Sequence, residues 1–269
     1  MLTDLPWSET IESNELLEAR QDGVAFVRLH RPQVRNALSV ELLVALTEAL
    51  ERFDRDETIR VMVVTGGRQF FAAGADIGAM AGATSAEMAT RPQLGCWQRL
   101  RQIRKPIVAA VNGFALGGGA ELVWVCDLVV AGDSARFGQP EIALGLIPGG
   151  GATQRLPRSI GKARAMEMVL VGEPIAAREA LDLGLINQVV PDDLVLTSAD
   201  RVATRIAEKS LDATIAAKSA VLDAFDLPVV DGLDAERARF NALFDTPDTQ
   251  EGLRAFLEKR PAQFGRNRS

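Results

Sequence analysis

Gly113-Phe114-Ala115-Leu116-Gly117-Gly118-Gly119-Ala120-Glu121-Leu122 is the stretch on which the reading of this chain turns. Three consecutive glycines run into an apolar segment that carries one carboxylate. Glycine lets backbone N–H groups approach a ligand with no side chain in the way. A helix starting at such a turn adds the positive end of its dipole. Two later stretches extend the pattern. Phe137-Gly138-Gln139-Pro140-Glu141-Ile142 brings a second glutamate, and Ile147-Pro148-Gly149-Gly150-Gly151 a further glycine cluster. Bare amides beside two carboxylates suit a site that binds a developing oxyanion and transfers protons next to it.

Outward from this stretch, strands alternate with helices. Ile107 to Val111 reads as a buried strand, and so do Arg60 to Thr65 and Asp127 to Ala131. Leu16 to Ala19 and Val24 to Leu29 form a hairpin about the Asp22-Gly23 turn. Ser39 caps a helix whose Leu42, Leu43, Leu46, Leu50 and Phe53 share one face. A second helix is expected over 85–104, and a third over 118–126. This alternation argues for an α/β fold. After Gly151 the strand signal fades. Helices are expected near 160–171, 176–182, 192–209, 211–226, 231–244 and 248–258, with one late strand at 187–190. The chain thus divides into a mixed core, 1–200, and a helical region, 201–269.

Composition narrows the function. With 36 acidic against 30 basic residues the net charge is −6, and no long basic run occurs. Nucleic acid and acidic membranes are therefore not expected partners. No apolar run approaches the roughly 18 residues of a spanning helix. Met1-Leu2-Thr3-Asp4-Leu5-Pro6 has neither the basic nor the apolar part of a leader, so a cytoplasmic protein is expected. One histidine, two cysteines and no tyrosine leave no metal-ligand set, and they place acid–base chemistry on Asp, Glu, Lys or Cys. The glycine clusters lack the Lys-Ser/Thr of a phosphate-binding loop and the third glycine of the dinucleotide fingerprint. No Gly-x-Ser-x-Gly elbow is present. Taken singly, Glu121 is an acidic residue in a first helical turn, and Glu141 a loop carboxylate after a proline. Together with Ala73-Gly74-Ala75-Asp76 they carry more.

The chain resembles the enoyl-CoA hydratase/isomerase (crotonase) superfamily. The resemblance rests on Arg31-Pro32 with Asn36-Ala37-Leu38, on Phe70-Phe71-Ala72-Ala73-Gly74-Ala75-Asp76-Ile77, and on Lys105 to Gly119. It continues through Phe137 to Glu141, Pro148 to Leu156, Gly161-Lys162 and Gly252 to Arg260. These motifs occur in order along almost the whole chain. The resemblance implies a spiral of repeated ββα units, with residues 201–269 as a helical trimerisation region that also completes part of the CoA pocket. A homotrimer or homohexamer is implied, acting on acyl-CoA thioesters in fatty acid metabolism. No separate cofactor is implied, because coenzyme A is part of the substrate.

Carried over position by position, Ala75 and Gly118 supply the two N–H groups of an oxyanion hole. Glu121 and Glu141 match the two glutamates of the hydratases, with Glu121 as base toward water and Glu141 as acid toward C2. One proton shared between them is expected, and the sequence leaves open which holds it. Gly149 matches a glycine whose amide sets Glu141. The CoA moiety falls to Ala73, Ala75, Asp76, Ile77, Gly78, Arg35, Phe256 and Lys259. Met80, Leu94, Trp97 and Gly150 line the acyl pocket. Gly78 stands where many hydratases have lysine, which removes one cation from the phosphate region. Retention of both glutamates favours reversible hydration of trans-2-enoyl-CoA to 3-hydroxyacyl-CoA. An enoyl-CoA isomerase on the same scaffold is the alternative, and a non-catalytic acyl-CoA-binding homologue is a third reading.

Overall fold

A computed structural model describes residues 5–265. The expectation about a leader in Met1 to Pro6 falls partly on residues 1–4, which lie outside the described residues. The chain begins with β1 (Ser8–Glu9), then the hairpin β2 (Leu16–Gln21) and β3 (Val24–Leu29), then α1 (Val40–Arg55) and β4 (Val61–Thr65). Next come α2 (Ser85–Thr90), α3 (Gln93–Arg101), β5 (Ile107–Val111), β6 (Phe114–Leu116) and α4 (Gly118–Val125). β7 (Leu128–Gly132), β8 (Arg136–Gly138), α5 (Ala152–Leu170), β9 (Ile175–Ala176), α6 (Ala177–Asp182) and β10 (Gln188–Val190) follow. The chain ends in α7 (Val195–Ala207), α8 (Leu211–Asp223), α9 (Val229–Leu243) and α10 (Pro247–Leu257).

The main sheet has the order β1-β2-β3-β4-β5-β7-β10, antiparallel up to β3 and parallel beyond it. A second sheet, β6-β8-β9, lies beside it. Ala72, on the segment after β4, bridges to Ala115 of β6 in parallel, so that segment also joins the second sheet. Each turn therefore lays one strand in the main sheet, one in the second, and then turns into a helix or a loop. This is the expected ββα spiral.

β4 and β5 are buried along their whole length because both faces of the main sheet are covered. Side chains alternate across a strand. Val61 and Val63 therefore pack with Val108, Ala110 and Val130 against Val195, Ala199, Ala203 and Ala207 of α7. Met62 and Val64 face the opposite core, with Leu42, Leu46, Leu50 and Phe53 of α1. Ser39 caps α1 as expected, its hydroxyl accepting from Leu42 N. The division expected between 200 and 201 passes through the middle of α7, whose buried face belongs to the sheet.

Three readings of the elements are corrected. The single helix expected over 85–104 is two, α2 and α3. Arg91 is extended (φ −69°, ψ 136°) because the proline after it disfavours helical backbone there. α5 begins at Ala152, well before 160, runs through Pro157 and kinks at Gly161 (φ 76°, ψ 163°). The late strand expected at 187–190 is present as β10, but it is not alone after Gly151, since the two-residue β9 pairs with β8. No helix among the described residues is long and apolar enough to cross a membrane.

Candidate active site

The site is built where the loop after β4, the start of α4 and the start of α5 converge. Its first wall is anchored by Asn36, which is 1% exposed. Asn36 Nδ2 donates to Gly66 O (2.9 Å) and Phe71 O (3.0 Å), and its Oδ1 accepts from Arg31 N (2.9 Å). Leu38 then docks on the next loop: Leu38 N donates to Gly74 O (2.8 Å) and Asp76 N to Leu38 O (3.0 Å). Leu38 thus bonds to the residues on either side of Ala75 in a parallel bridge. The N–H of Ala75 itself consequently points to the opposite side, away from Leu38.

Gly118 stands on that side. A Cβ placed on it would lie 3.7 Å from Ala75 N. Gly118 is the first residue of α4, and the first N–H groups of a helix have no partner within it. Two amides from segments more than forty residues apart in sequence are therefore neighbours. Two glycines make this approach possible. A Cβ on Gly119 would stand 2.3 Å from Ala72 O. Gly117 adopts φ 50°, ψ −126°, and a Cβ there would lie 2.9 Å from Glu141 Oε1.

Glu121 lies in the first turn of α4 and is 3% exposed. Its Oε1 accepts from Gly150 N (2.7 Å) and Ala152 N (3.0 Å). The carboxylate thus sits at the N-terminus of α5, where the helix dipole favours negative charge. Burial pushes its carboxyl above the ordinary value, while these two amides and the Arg155 charge pull it back. Glu141 lies on a short 3-10 helix, Pro140–Leu144, and is half-buried. Burial pushes it up to about 7; its own backbone N–H opposes this, and the charge of Glu121 adds to it. With its amide nitrogen turned toward the carboxylate, the fully buried Gln139 donates to both Glu141 oxygens at 3.2 Å. The two carboxylates therefore sense each other but are held differently, one by a helix start and the other by a side-chain amide.

The expected site residues fall into three groups. Ala75, Gly118, Glu121, Glu141, Trp97 and Gly150 come together. A Cβ on Gly150 would meet Trp97 Cε2 at 2.6 Å and Glu121 Oε2 at 2.9 Å, and one on Gly118 would lie 3.9 Å from Trp97 Cζ2. The Trp97 indole is therefore wedged between the two glycine clusters. Ala73, Asp76, Ile77, Gly78 and Met80 lie along the adjoining loop. Asp76 is tied down by Arg31 (3.2 Å), and Met80 lines a small cleft with Leu38, Ala75 and Gln93. Leu94 is exposed one turn before Trp97. Arg35 is exposed, and its carbonyl accepts from Ala73 N at 3.0 Å.

Phe256 and Lys259 are not brought to this loop within the chain. Phe256 is 82% exposed. Gly149 differs from expectation. A Cβ on it would meet nothing, and it makes no hydrogen bond to Glu141 among the described residues. The amides that hold a carboxylate belong instead to Gly150 and Ala152, and that carboxylate is Glu121. Trp124 packs its ring on Phe137, centroids 5.4 Å apart, and against the core rather than beside the site. Sequence reasoning missed Gln139, Ala152 and Arg155 as parts of the site. Gln139 stands two residues from Glu141 and was within reach of inspection; the other two needed the start of α5. Among the described residues no cluster of three or more His, Cys, Asp or Glu could hold a metal.

The fold is a ββα spiral in which two neighbouring backbone amides lie beside two carboxylates. The chain matches the family described as enoyl-CoA hydratase/isomerase over residues 19–267, and it belongs to that family. It is 48% identical over 253 residues to the 2,3-dehydroadipyl-CoA hydratase of Escherichia coli (strain K12), covering 93% of this chain and 98% of that protein. It is 45% identical over 249 residues to a probable enoyl-CoA hydratase of Rhizobium meliloti (strain 1021), covering 93% and 97%. A solved enoyl-CoA hydratase from Bacillus anthracis superposes with a TM-score of 0.88 at 35% identity, covering 93% of this chain and 98% of that one. The chain is an enzyme of this hydratase type, a lyase.

Proposed function

We propose that the enzyme catalyses the reversible hydration of trans-2-enoyl-CoA to 3-hydroxyacyl-CoA. The observation that carries this reading is the pair Glu121 and Glu141 beside the neighbouring amides of Ala75 and Gly118. The thioester oxygen accepts from both amides, which drains electron density from C3. Water attacks C3, and Glu121, as carboxylate, takes its proton. Negative charge passes to the thioester oxygen, where each donor contributes about 3 kcal/mol to the transition state. Glu141 then gives its proton to C2 and the thioester reforms. Transfer of the proton from Glu121 back to Glu141 restores the starting state. The raised carboxyl of Glu141 supports its role as the acid.

Arg35 serves the CoA phosphates, joined by Phe256 and Lys259 from a neighbouring subunit of a homotrimer or homohexamer. No further cofactor enters this scheme. The test is a set of initial rates across enoyl-CoA chain lengths from crotonyl-CoA upward, with 2,3-dehydroadipyl-CoA included because a relative bears that name. Hydration of at least one 2-enoyl thioester is expected. Conversion of 3-enoyl thioesters with no hydration would instead establish the isomerase, and acyl-CoA binding with no turnover the non-catalytic homologue.

A further inference from the structure

α5 begins at the carboxylate of Glu121, and one of its own side chains folds back onto that beginning. Arg155 Nη1 donates to Gly150 O at 2.9 Å. Gly150 is the residue whose N–H donates to Glu121 at 2.7 Å. The guanidinium also presses on Gly151, where a Cβ would stand 2.2 Å from Nη1. Gly151 has φ +114°, so a side chain there is excluded twice over. Arg155 therefore fills the inside of the 150–152 turn. A donor on Gly150 O polarises the Gly150–Gly151 peptide and strengthens its N–H, which faces Glu121.

No carboxylate forms an ion pair with Arg155 among the described residues. Burial and the charge of Arg101 push its guanidinium down from the ordinary value, and Glu121 opposes this. The charged and titratable groups around Glu121 are thus Arg155 on α5 and Glu141 on the 3-10 helix. Arg101 on α3 and Cys126 at the end of α4 act on it through Arg155. Arg101 is itself paired with Asp226.

We propose that Arg155 is a positioning residue for the reaction: it locks the 150–152 turn so that the turn's amides hold Glu121 ionised and aimed at the attacking water. This rests on Glu121 being the base. The sign follows from charge. A nearby cation favours the carboxylate. Without it Glu121 protonates at higher pH, and the base form is lost sooner as pH falls.

The test compares pH profiles of hydration for wild type, Arg155→Gln, Arg155→Lys and Glu121→Gln, each checked for native circular dichroism and oligomer size. In Arg155→Gln the acidic limb is expected about one pH unit higher, with kcat reduced and KM within a few-fold of wild type. Arg155→Lys, which keeps a cation and a donor, is expected to restore most of the limb. An Arg155→Gln profile that overlays wild type, a loss confined to KM, or a lysine variant as impaired as the glutamine variant would overturn the proposal. Should Arg155→Gln lose its native size, Arg155→Met, which fills the same space without charge, takes its place with the same expectations. Full activity in Glu121→Gln would remove the base assignment itself. An inactive Glu121→Gln beside a wild-type-like Arg155→Gln would remove only the role of Arg155.

Discussion

Glu121 and Glu141 carry the same chemical group in unlike surroundings, and the difference supports the distinct roles proposed for them. Glu121 faces the start of a helix and two N–H donors, which favour its anion. Glu141 sits on a short 3-10 helix with the Gln139 amide as its side-chain partner, and burial pushes its carboxyl up to about 7. Glu121→Gln and Glu141→Gln are each expected to cut hydration at least about a hundredfold, the low end for lost acid–base catalysis. Acyl-CoA binding measured by calorimetry should change little, because the Ala75 and Gly118 amides remain. Activity within a few-fold of wild type in either variant would sink the assignment. Glu141 also bears on stability. Its carboxyl is raised from 4.5 to about 7 in the folded chain. Its contribution to stability is therefore complete below pH 4.5 and is lost as pH rises through about 7. Glu141→Gln, which cannot ionise, should melt above wild type at pH 8, with the gap closing toward pH 4.5. Melting curves at the two pH values decide it, and a gap that does not vary with pH would count against the burial of this group.

Among the elements, α4 is fixed by close backbone contact as well as by the packing of Leu122 and Val123 in the core. A Cβ on Gly119 would meet Ala72 O at 2.3 Å, and a backbone oxygen cannot rotate away. Gly119→Ala is expected to cost about 1–3 kcal/mol of stability and to reduce turnover by moving Gly118 away from Ala75. Thermal melts and initial rates on one preparation check both, and an unperturbed enzyme would mean that the loop after β4 yields freely. The legibility of the elements follows the same division. β4 and β5 were plain in the sequence because five-residue apolar runs need burial on both faces. The first helix announced itself by Ser39 and its leucine stripe. β6, β8 and β9 are two or three residues long and too short to carry a period. The break before Pro92 is legible in the sequence, because a proline disfavours helical backbone at the residue before it. In the site, glycine density pointed to bare amides, but which N–H of the 149–151 run is aimed inward is set by the turn. That is a matter of φ and ψ, which a run of three identical residues does not reveal. Arg155 lies outside the helix expected near 160–171, and its role becomes visible only once α5 is known to begin at Ala152.

At the scale of the whole molecule, the C-terminal helical region exposes apolar residues that nothing among the described residues covers. Val229, Phe256 and Leu257 are 78%, 82% and 80% exposed, and Phe225, Phe240 and Phe244 are also open. Such faces require a partner surface. Light scattering on the full chain is expected to give a trimer or a dimer of trimers, and a fully active monomer at micromolar concentration would contradict it. Truncation after residue 200 removes Ala203 and Ala207 from the cover of the sheet, together with Lys218, whose ammonium pairs with Asp127 at 2.7 Å. The product should be insoluble or inactive. A soluble, active fragment would show that the helical region is dispensable.

The small second sheet has a wider meaning for how this activity can arise or fail. Ala72 bridges to β6, and the separation of the neighbouring Ala75 and Gly118 amides depends on that join. The sheet acts as a gauge block between successive turns of the spiral. A slip of one residue would reverse which way each amide looks, so no partial assembly has a diluted version of the activity. Fragments, early folding species and chains slipped in register should all be silent. The appearance of turnover during refolding would then serve as a clock for the moment when neighbouring turns lock.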